Sequence, residues 1–263
     1  MPSLNHGAFI EEAIRSVLLQ DYPSVELIVV DGGSTDGSVD VIRQYQEHLA
    51  AWMCEGDAGP ADALNKGFRR ASGVVLSFLN ADDFLLPQSL WTVAREFRRR
   101  PQADVLSGHG FFVNAVGELG TPMFSDRWDL SRVVHTACVL VQPATFFRSR
   151  IFQRVGGFSE QTRTAWDMEL WADMALAGAT FQCVDAFLAA TRLHAASITG
   201  NPQWRKQRLE DARLVRQKVR GRPERARDRI HAVLHRVRKF ADHPCRTLSQ
   251  RLFLYSALRR WSL

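Results

Sequence analysis

The 263-residue sequence contains no uninterrupted run of 18 apolar residues, so no segment reads as a membrane-spanning helix. Its N-terminal stretch lacks the basic, apolar and small-residue succession of a secretory signal, and the expected location is therefore the cytoplasm. Cysteine is scarce: Cys54, Cys138, Cys183 and Cys245 stand far apart, with no C-x-x-C pair among them. That spacing indicates neither a zinc knuckle nor a disulfide framework, and buried reduced thiols are the expectation.

What is present is the composition of an ordinary globular protein, 46% hydrophobic, long enough for one large α/β domain with an appendage. The net charge of +6 conceals an asymmetry. Residues 202–263 hold 18 Lys and Arg against 5 Asp and Glu, whereas residues 1–201 hold 16 against 23. A mildly acidic body, residues 1–201, thus precedes a strongly basic tail, residues 202–263.

The body alternates. Ile10, Ala13, Ile14, Val17 and Leu18 recur at helical spacing within residues 8–19. Residues 25–30, VELIVV, form a compact buried-strand pattern ending on Asp31, and the Gly32-Gly33-Ser34-Thr35-Asp36-Gly37 turn leads to a helix marked by Val39, Ile42 and Leu49. Pro60 opens a helix with Ala61, Leu64, Phe68 and Ala71 on one face, and Gly73 stops it. Leu90, Val93, Ala94 and Phe97 mark the next. Such alternation to about residue 107 predicts a largely parallel sheet with helices on both faces. Residues 108–120 read as a hairpin or irregular insertion, and residues 121–134 as loop. Helices are expected at 148–155 and from Asp167 onward, with short strands at 180–184 and 187–193.

The central stretch is residues 74–86, VVLSFLNADDFLL. An apolar, β-branched run of one strand's length delivers Asn80, Asp82 and Asp83 to its C-terminal edge, where open α/β sheets bind ligands. Hard oxygen ligands suit Mg²⁺ or Mn²⁺, and an ion with few protein ligands shares its coordination with substrate phosphates. A solvated acidic turn is the alternative reading of the tetrapeptide alone.

In the tail, Ala226, Ile230, Val233, Leu234, Val237, Phe240 and Ala241 fit one helical stripe, with Arg225, Arg227, Arg229, Arg236, Arg238 and Lys239 over the remainder. Leu252, Phe253, Leu258 and Trp261 interleave with Arg251, Arg259 and Arg260 further on. The stripe suits either an interfacial helix on an anionic membrane or packing on the body.

Six blocks in order, PSLNHGAFIEEAIRSVLLQDYP, VELIVVDGGSTDGS, GDAGPADALNKG, LSFLNADD, ATFFRSRIFQRVGGFSE and AWDMELW, resemble a family 2 glycosyltransferase over roughly residues 2–200. The resemblance implies the GT-A fold, a Rossmann-like mixed and mainly parallel sheet flanked by helices, here with a basic helical extension. It implies a nucleotide-sugar donor, a UDP- or dTDP-sugar, and a saccharide or lipid-linked acceptor in cell-surface polysaccharide synthesis. It implies that Asp31 accepts a hydrogen bond from the donor base, with capping of the Gly32-Gly33 turn as its bland role. Asp57 and Asp62 match positions lining the nucleotide pocket, followed by Asn65 and by Lys66, which faces phosphate or solvent. Asp82 and Asp83 stand at the D-x-D type metal motif, whose first acid is Asn80 here. Asp167 matches the catalytic base, and the preceding Trp166 is placed to stack on a sugar, with Glu169 as the next candidate base. Arg192 and His194 lie where relatives contact the diphosphate or complete the metal shell.

Two departures stand out. The family begins with a strand before the P-S-x-N segment, which Met1-Pro2 leaves out, so an upstream β-branched strand is expected; and Leu4 occupies a position often aromatic. Other classes compete. A sugar-nucleotide pyrophosphorylase would need a Gly-rich, basic triphosphate segment near the N-terminus, which the sequence does not show. A nucleic-acid-binding protein would use the tail's charge, but the tail has an apolar stripe and no recognised motif, so no nucleic-acid partner is expected. An inactive, N-truncated copy of the fold is the third alternative.

Overall fold

The computed structural model describes residues 1–134 and 138–242; Cys245 and the stretch containing Leu252, Phe253, Leu258 and Trp261 lie outside the described residues. In chain order the elements are β1 (Pro2–Ser3), α1 (Ile10–Leu18), β2 (Ile28–Asp31), α2 (Ser38–Gln44), β3 (Ala51–Cys54), α3 (Pro60–Phe68), β4 (Val75–Leu76), β5 (Phe84–Leu85) and α4 (Ser89–Arg99). They continue with β6 (Val105–Val113), β7 (Leu119–Met123), α5 (Leu130–Val134), β8 (Thr145–Arg148), α6 (Ser149–Val155), α7 (Trp166–Leu176), β9 (Phe181–Arg192), α8 (Arg205–Arg220) and α9 (Ala226–Asp242).

β1, β2 and β3 pair in parallel, in that order. The second sheet runs β4-β8-β6-β9-β5 with β7 added on β6; only its β6–β9 pair is parallel. The expected parallel rhythm thus holds for the first three strands and gives way to antiparallel pairing beyond them. The hairpin anticipated at 108–120 is β6–β7. The two short strands anticipated near 180–193 are one, β9, whose register slips opposite Ser107, His109 and Gly110. Those slips interrupt the period-2 pattern that would have joined them.

Alternation along the strands sorts the core. On one face Leu106 and Phe146 pack with Ile10, Ile14 and Val17 of α1 and with Val93 and Phe97 of α4. On the other, Val105 and Phe147 pack with Leu64 of α3, Ile151 and Phe152 of α6, and Leu170 and Trp171 of α7. Gly156, at φ +81°, ends α6 in the left-handed conformation that a side chain would disfavour.

The two sheets do not pair with each other. Between β2 and β4 lies a cavity of about 540 Å³, walled by residues including Leu27, Ile28, Leu64, Phe68, Leu76 and Phe146. Residues 24–28 and 74–79 flank it, which explains why both predicted strands are shorter than their apolar runs: each lacks a partner along the cavity side. The Met1 α-amino group sits beside it and donates to the Ile28 carbonyl at 2.7 Å. This gap adjoins the N-terminal side of β1, where the resemblance implies a central strand.

The region read as a tail divides. α8 packs on α5 and α7, burying Val215 against Ala165 and Ala172. Along α9, Ile230, Val233, Leu234 and Val237 are exposed by 56–63%. Among the described residues no helix is long and apolar enough to cross a membrane. The thiols are less sheltered than expected: Cys54 is exposed, and Cys138 and Cys183 are half-buried.

Candidate active site

Three segments meet at the C-terminal ends of the strands: residues 4–7 after β1, residues 80–83 between β4 and β5, and residues 192–194 closing β9. A tight turn, with the Asp83 N–H donating to the Asn80 carbonyl at 3.0 Å, separates the two adjacent carboxylates by their surroundings. Asp82 Oδ2 lies 3.0 Å from His194 Nε2 and 3.9 Å from His6 Nε2. The His6 ring is set by the Leu4 N–H, which donates to its Nδ1 at 3.2 Å, while the His6 N–H donates to Ser38 Oγ. Phe9 packs on His194, ring centres 4.7 Å apart.

Asp83 turns inward, 3% exposed, accepting from the Arg192 N–H at 2.9 Å and from Asn80 Nδ2 at 3.2 Å. Burial, and then the neighbouring Asp82, push its carboxyl well above the usual range, favouring the protonated form. Burial likewise holds the His6 imidazole below its usual value, with Asp82 opposing. Asp82 thus faces His194 with His6 beside them, while Asp83 bonds to the Arg192 backbone and to Asn80. His6 was not singled out from sequence, although a His just past a parallel strand's C-terminal end is where ligands collect.

Arg192, expected at the diphosphate, is a buried clamp. Its guanidinium donates to the carbonyls of Asp82, Asn114 and Ala115, pairs with Glu12, and stacks over Phe9 and Phe84. Asp31 is held by its own turn. It is 0% exposed, and its carboxylate accepts from the N–H groups of Gly33 (3.0 Å) and Ser34 (2.7 Å), the Ser34 hydroxyl (2.6 Å) and the Cys54 thiol (3.4 Å). That is the turn-capping role.

The 55–66 segment ties itself together. Asp57 accepts from the Gly59 N–H at 2.8 Å and leans so close to Gly32 that a Cβ there would lie 2.4 Å from its Oδ2 and would displace the carboxylate. Asp62 accepts from the Ala58 N–H, and Lys66 bridges Asp62 at 3.2 Å, Glu55 at 3.4 Å and the Gly56 carbonyl. Asn65, expected in the nucleotide pocket, stitches α3 to the Phe158 backbone through both of its amide atoms at 2.9 Å.

Asp167 stands on another element, in the first turn of α7. One carboxylate oxygen accepts from the Met168 N–H at 2.7 Å, and desolvation raises its pKa above the usual carboxylate range. Trp166 does not present a stacking face: it is buried in the α3–α6–α7 core. Glu169 is no spare base, since Thr162 Oγ1 and Lys218 Nζ, each at 3.0 Å, occupy its two oxygens.

A divalent ion fits one part of this arrangement. Adjacent ligands of an octahedral ion with bonds of about 2.1 Å lie about 3.0 Å apart, and Asp82 Oδ2 and His194 Nε2 are separated by that distance. Among the described residues no three acidic, His or Cys side chains form a complete cage, so substrate oxygens and water would fill the remaining positions.

Residues 1–147 match the profile of glycosyl transferase family 2. TuaG of Bacillus subtilis, named for teichuronic acid biosynthesis, is 30% identical over 216 residues, covering 78% of this chain and 81% of TuaG. An uncharacterized glycosyltransferase of Nostoc, alr2836, is 31% identical over 46% of this chain, which spans 41% of that protein's length. Among solved structures, Staphylococcus aureus TarS 1-349 with UDP-GlcNAc superposes at a TM-score of 0.65 (19% identity, 92% of this chain, 71% of that one). Mannosyltransferase PcManGT of Pyrobaculum calidifontis, with GDP-Man and Mn²⁺, does so at 0.64 (20% identity, 99% of this chain, 71% of that one). These likenesses bear out the GT-A architecture. With more than half of the chain inside the family profile and a 30%-identical relative matched over most of both lengths, this protein belongs to glycosyl transferase family 2.

Proposed function

We propose that the protein is an inverting, metal-dependent glycosyltransferase that moves a sugar from a UDP- or dTDP-sugar to a saccharide or lipid-linked acceptor in cell-surface polysaccharide biosynthesis. The observation that carries this reading is the pairing of Asp82 with His194 at the strand ends, together with an Asp167 on α7 whose carboxyl pKa is raised above its usual range by desolvation. Asp82 and His194 would hold Mg²⁺ or Mn²⁺, which when bound neutralises charge on the departing nucleoside diphosphate. Asp167 takes the proton of the acceptor hydroxyl as its oxygen attacks the anomeric carbon; attack opposite the leaving phosphate inverts that centre. Asp31, Asp57 and Asp62 are the acids that line the nucleotide pocket. The uridine preference leans on TarS, whose structure holds UDP-GlcNAc, and the polysaccharide role on TuaG.

The apolar stripe of α9 supports a peripheral seat on an anionic membrane surface at the inner face. Ile230, Val233, Leu234 and Val237 are exposed together, Arg225 and Arg227 are exposed beside them, and each basic residue near such a leaflet contributes about 1 kcal/mol.

The test is nucleoside diphosphate release from a panel of nucleotide sugars, with and without Mg²⁺ or Mn²⁺. Release from a UDP- or dTDP-sugar only when a divalent ion is present is expected. Release from a guanosine donor alone overturns the donor assignment, and equal rates in chelator overturn the metal.

A further inference from the structure

We propose that Asp211, on α8, is a positioning residue for the base Asp167, so that the basic C-terminal region is part of the catalytic unit and not only an address. This rests on the reading of Asp167 given above.

α7 begins without help of its own. Its N-cap, Ala165, offers no side-chain acceptor, and the Met168 N–H is taken by Asp167 itself. The segment leading into it, residues 162–165, must therefore be fixed from outside. α8 supplies the grip at three points spaced along one helical face. Asp211 is 0% exposed; its Oδ2 accepts from the Arg163 N–H (2.9 Å), the Thr164 N–H (2.7 Å) and the Thr164 hydroxyl (2.7 Å), while Gln207 Nε2 holds Oδ1 at 2.8 Å. One turn on, Val215 is buried against Ala165 and Ala172. Another turn on, Lys218 pairs with Glu169 and Asp173, and Glu169 reaches back to the Thr162 hydroxyl.

A fully buried carboxylate is costly unless its bonds are complete, so this one reports a backbone position that the fold holds tightly. The position held lies two to four residues before Asp167, and the carboxylate's charge near the α7 N-terminus favours that helix start. Among the described residues the Asp167 carboxylate accepts from the next residue in the chain, so its aim is the aim of the helix end. Releasing the Arg163 and Thr164 amides would let the α7 start shift and admit water. A misplacement of about 1 Å at a reacting group costs on the order of 10²-fold in rate.

The experiment compares the whole chain with Asp211→Ala and Asp211→Asn, all measured well below their melting temperatures. Three quantities are read: kcat and donor KM for nucleoside diphosphate release, the acidic limb of the pH profile of kcat, and the Asp167 carboxyl pKa by carbon-13 NMR. In Asp211→Ala, kcat should fall at least tenfold with donor KM within twofold, and the acidic limb and the Asp167 titration should both move to lower pH as water relieves its burial. Asp211→Asn keeps one oxygen for the two amides and should recover most of kcat. Should Asp211→Ala not fold, Thr164→Val, which removes only the hydroxyl bond, is read by the same criteria with a smaller drop expected. A folded variant with unchanged kcat and an unmoved Asp167 titration overturns the proposal, as does equal loss of kcat and donor binding. A wild-type chain that releases no nucleoside diphosphate, yet whose Asp167 titration moves in Asp211→Ala, sinks the transferase reading and leaves the positioning intact.

Discussion

In the 263-residue chain with a free Met1 amine, blocking that α-amino group should stabilise the protein, by an amount that depends on pH. The amine is enclosed beside the cavity, with the Ile28 carbonyl as its acceptor, and burial lowers its pKa from 8.0 to about 5. In the unfolded chain it binds a proton below pH 8, whereas in the folded chain it does so only below about 5. Between those values the unfolded state carries more protons, so stability rises with pH across the window and is lost as pH falls. Three pKa units correspond to about 4 kcal/mol in full; the cost of the free amine is about 1.4 kcal/mol at pH 7 and nearly all of the total at pH 5. Against a total of about 5–15 kcal/mol for a domain, this is a large fraction. Acetylation removes the titrating group but keeps one N–H for Ile28. The assay is urea unfolding of the free and N-acetylated chains from pH 5.5 to 9, taking their difference at each pH. The difference isolates the amine, because His6, Asp83 and Asp167, which also have shifted values, are common to both forms. Curves that differ by a constant at all pH values, or not at all, refute the reasoning.

Three further outcomes are expected. Asp82→Ala should abolish metal-dependent tightening of UDP or dTDP binding while leaving the fold intact, since Asp83 and Arg192 hold the turn without it; calorimetry showing the same metal dependence as wild type removes Asp82 from the metal site. Asp167→Asn keeps shape and loses the proton acceptor, so turnover should drop by about 10² or more with donor affinity preserved, and near-normal rates would move the base elsewhere. Replacing Ile230, Val233, Leu234 and Val237 together by Ser should release the protein from anionic liposomes at low salt; if wild type itself stays in the supernatant, the membrane seat is lost.

How much of this was legible before any coordinates depends on whether a residue's partners are close in sequence. The β2 turn and the start of α3 were readable because Asp31, Gly32, Gly33 and Pro60 carry local rules: acids cap turns, and Pro opens helices. The Asn80 to Asp83 turn, read by itself, fits a solvated acidic turn as well, and the ordered blocks around it are what point to a site there. What could not be read was the direction each side chain takes. Asp82 and Asp83 are adjacent and chemically identical, yet one faces His194 and the other the Arg192 backbone more than a hundred residues away. Only the β5–β9 pairing decides between them.

The same limit explains Arg192, Asn65 and Asp31. Each is a polar residue at a position where a ligand contact is expected, and each bonds to backbone: Arg192 to residues 82, 114 and 115, Asn65 to Phe158, and Asp31 to its own turn. Strand ends carry exposed carbonyls and amides with no ladder partner, and a buried polar side chain satisfies them at less cost than leaving them bare. Residues at such ends are therefore recruited twice over, some to face substrate and others to hold the frame that aims them. Sequence type cannot separate the two groups, but burial can: Asp31 and Arg192 are closed off from solvent, whereas Asp57 and Asp62 keep a face toward it. In the proposed mechanism the chemistry falls on Asp82, His194 and Asp167, and buried neighbours such as Arg192 and Asp211 hold the backbone around them.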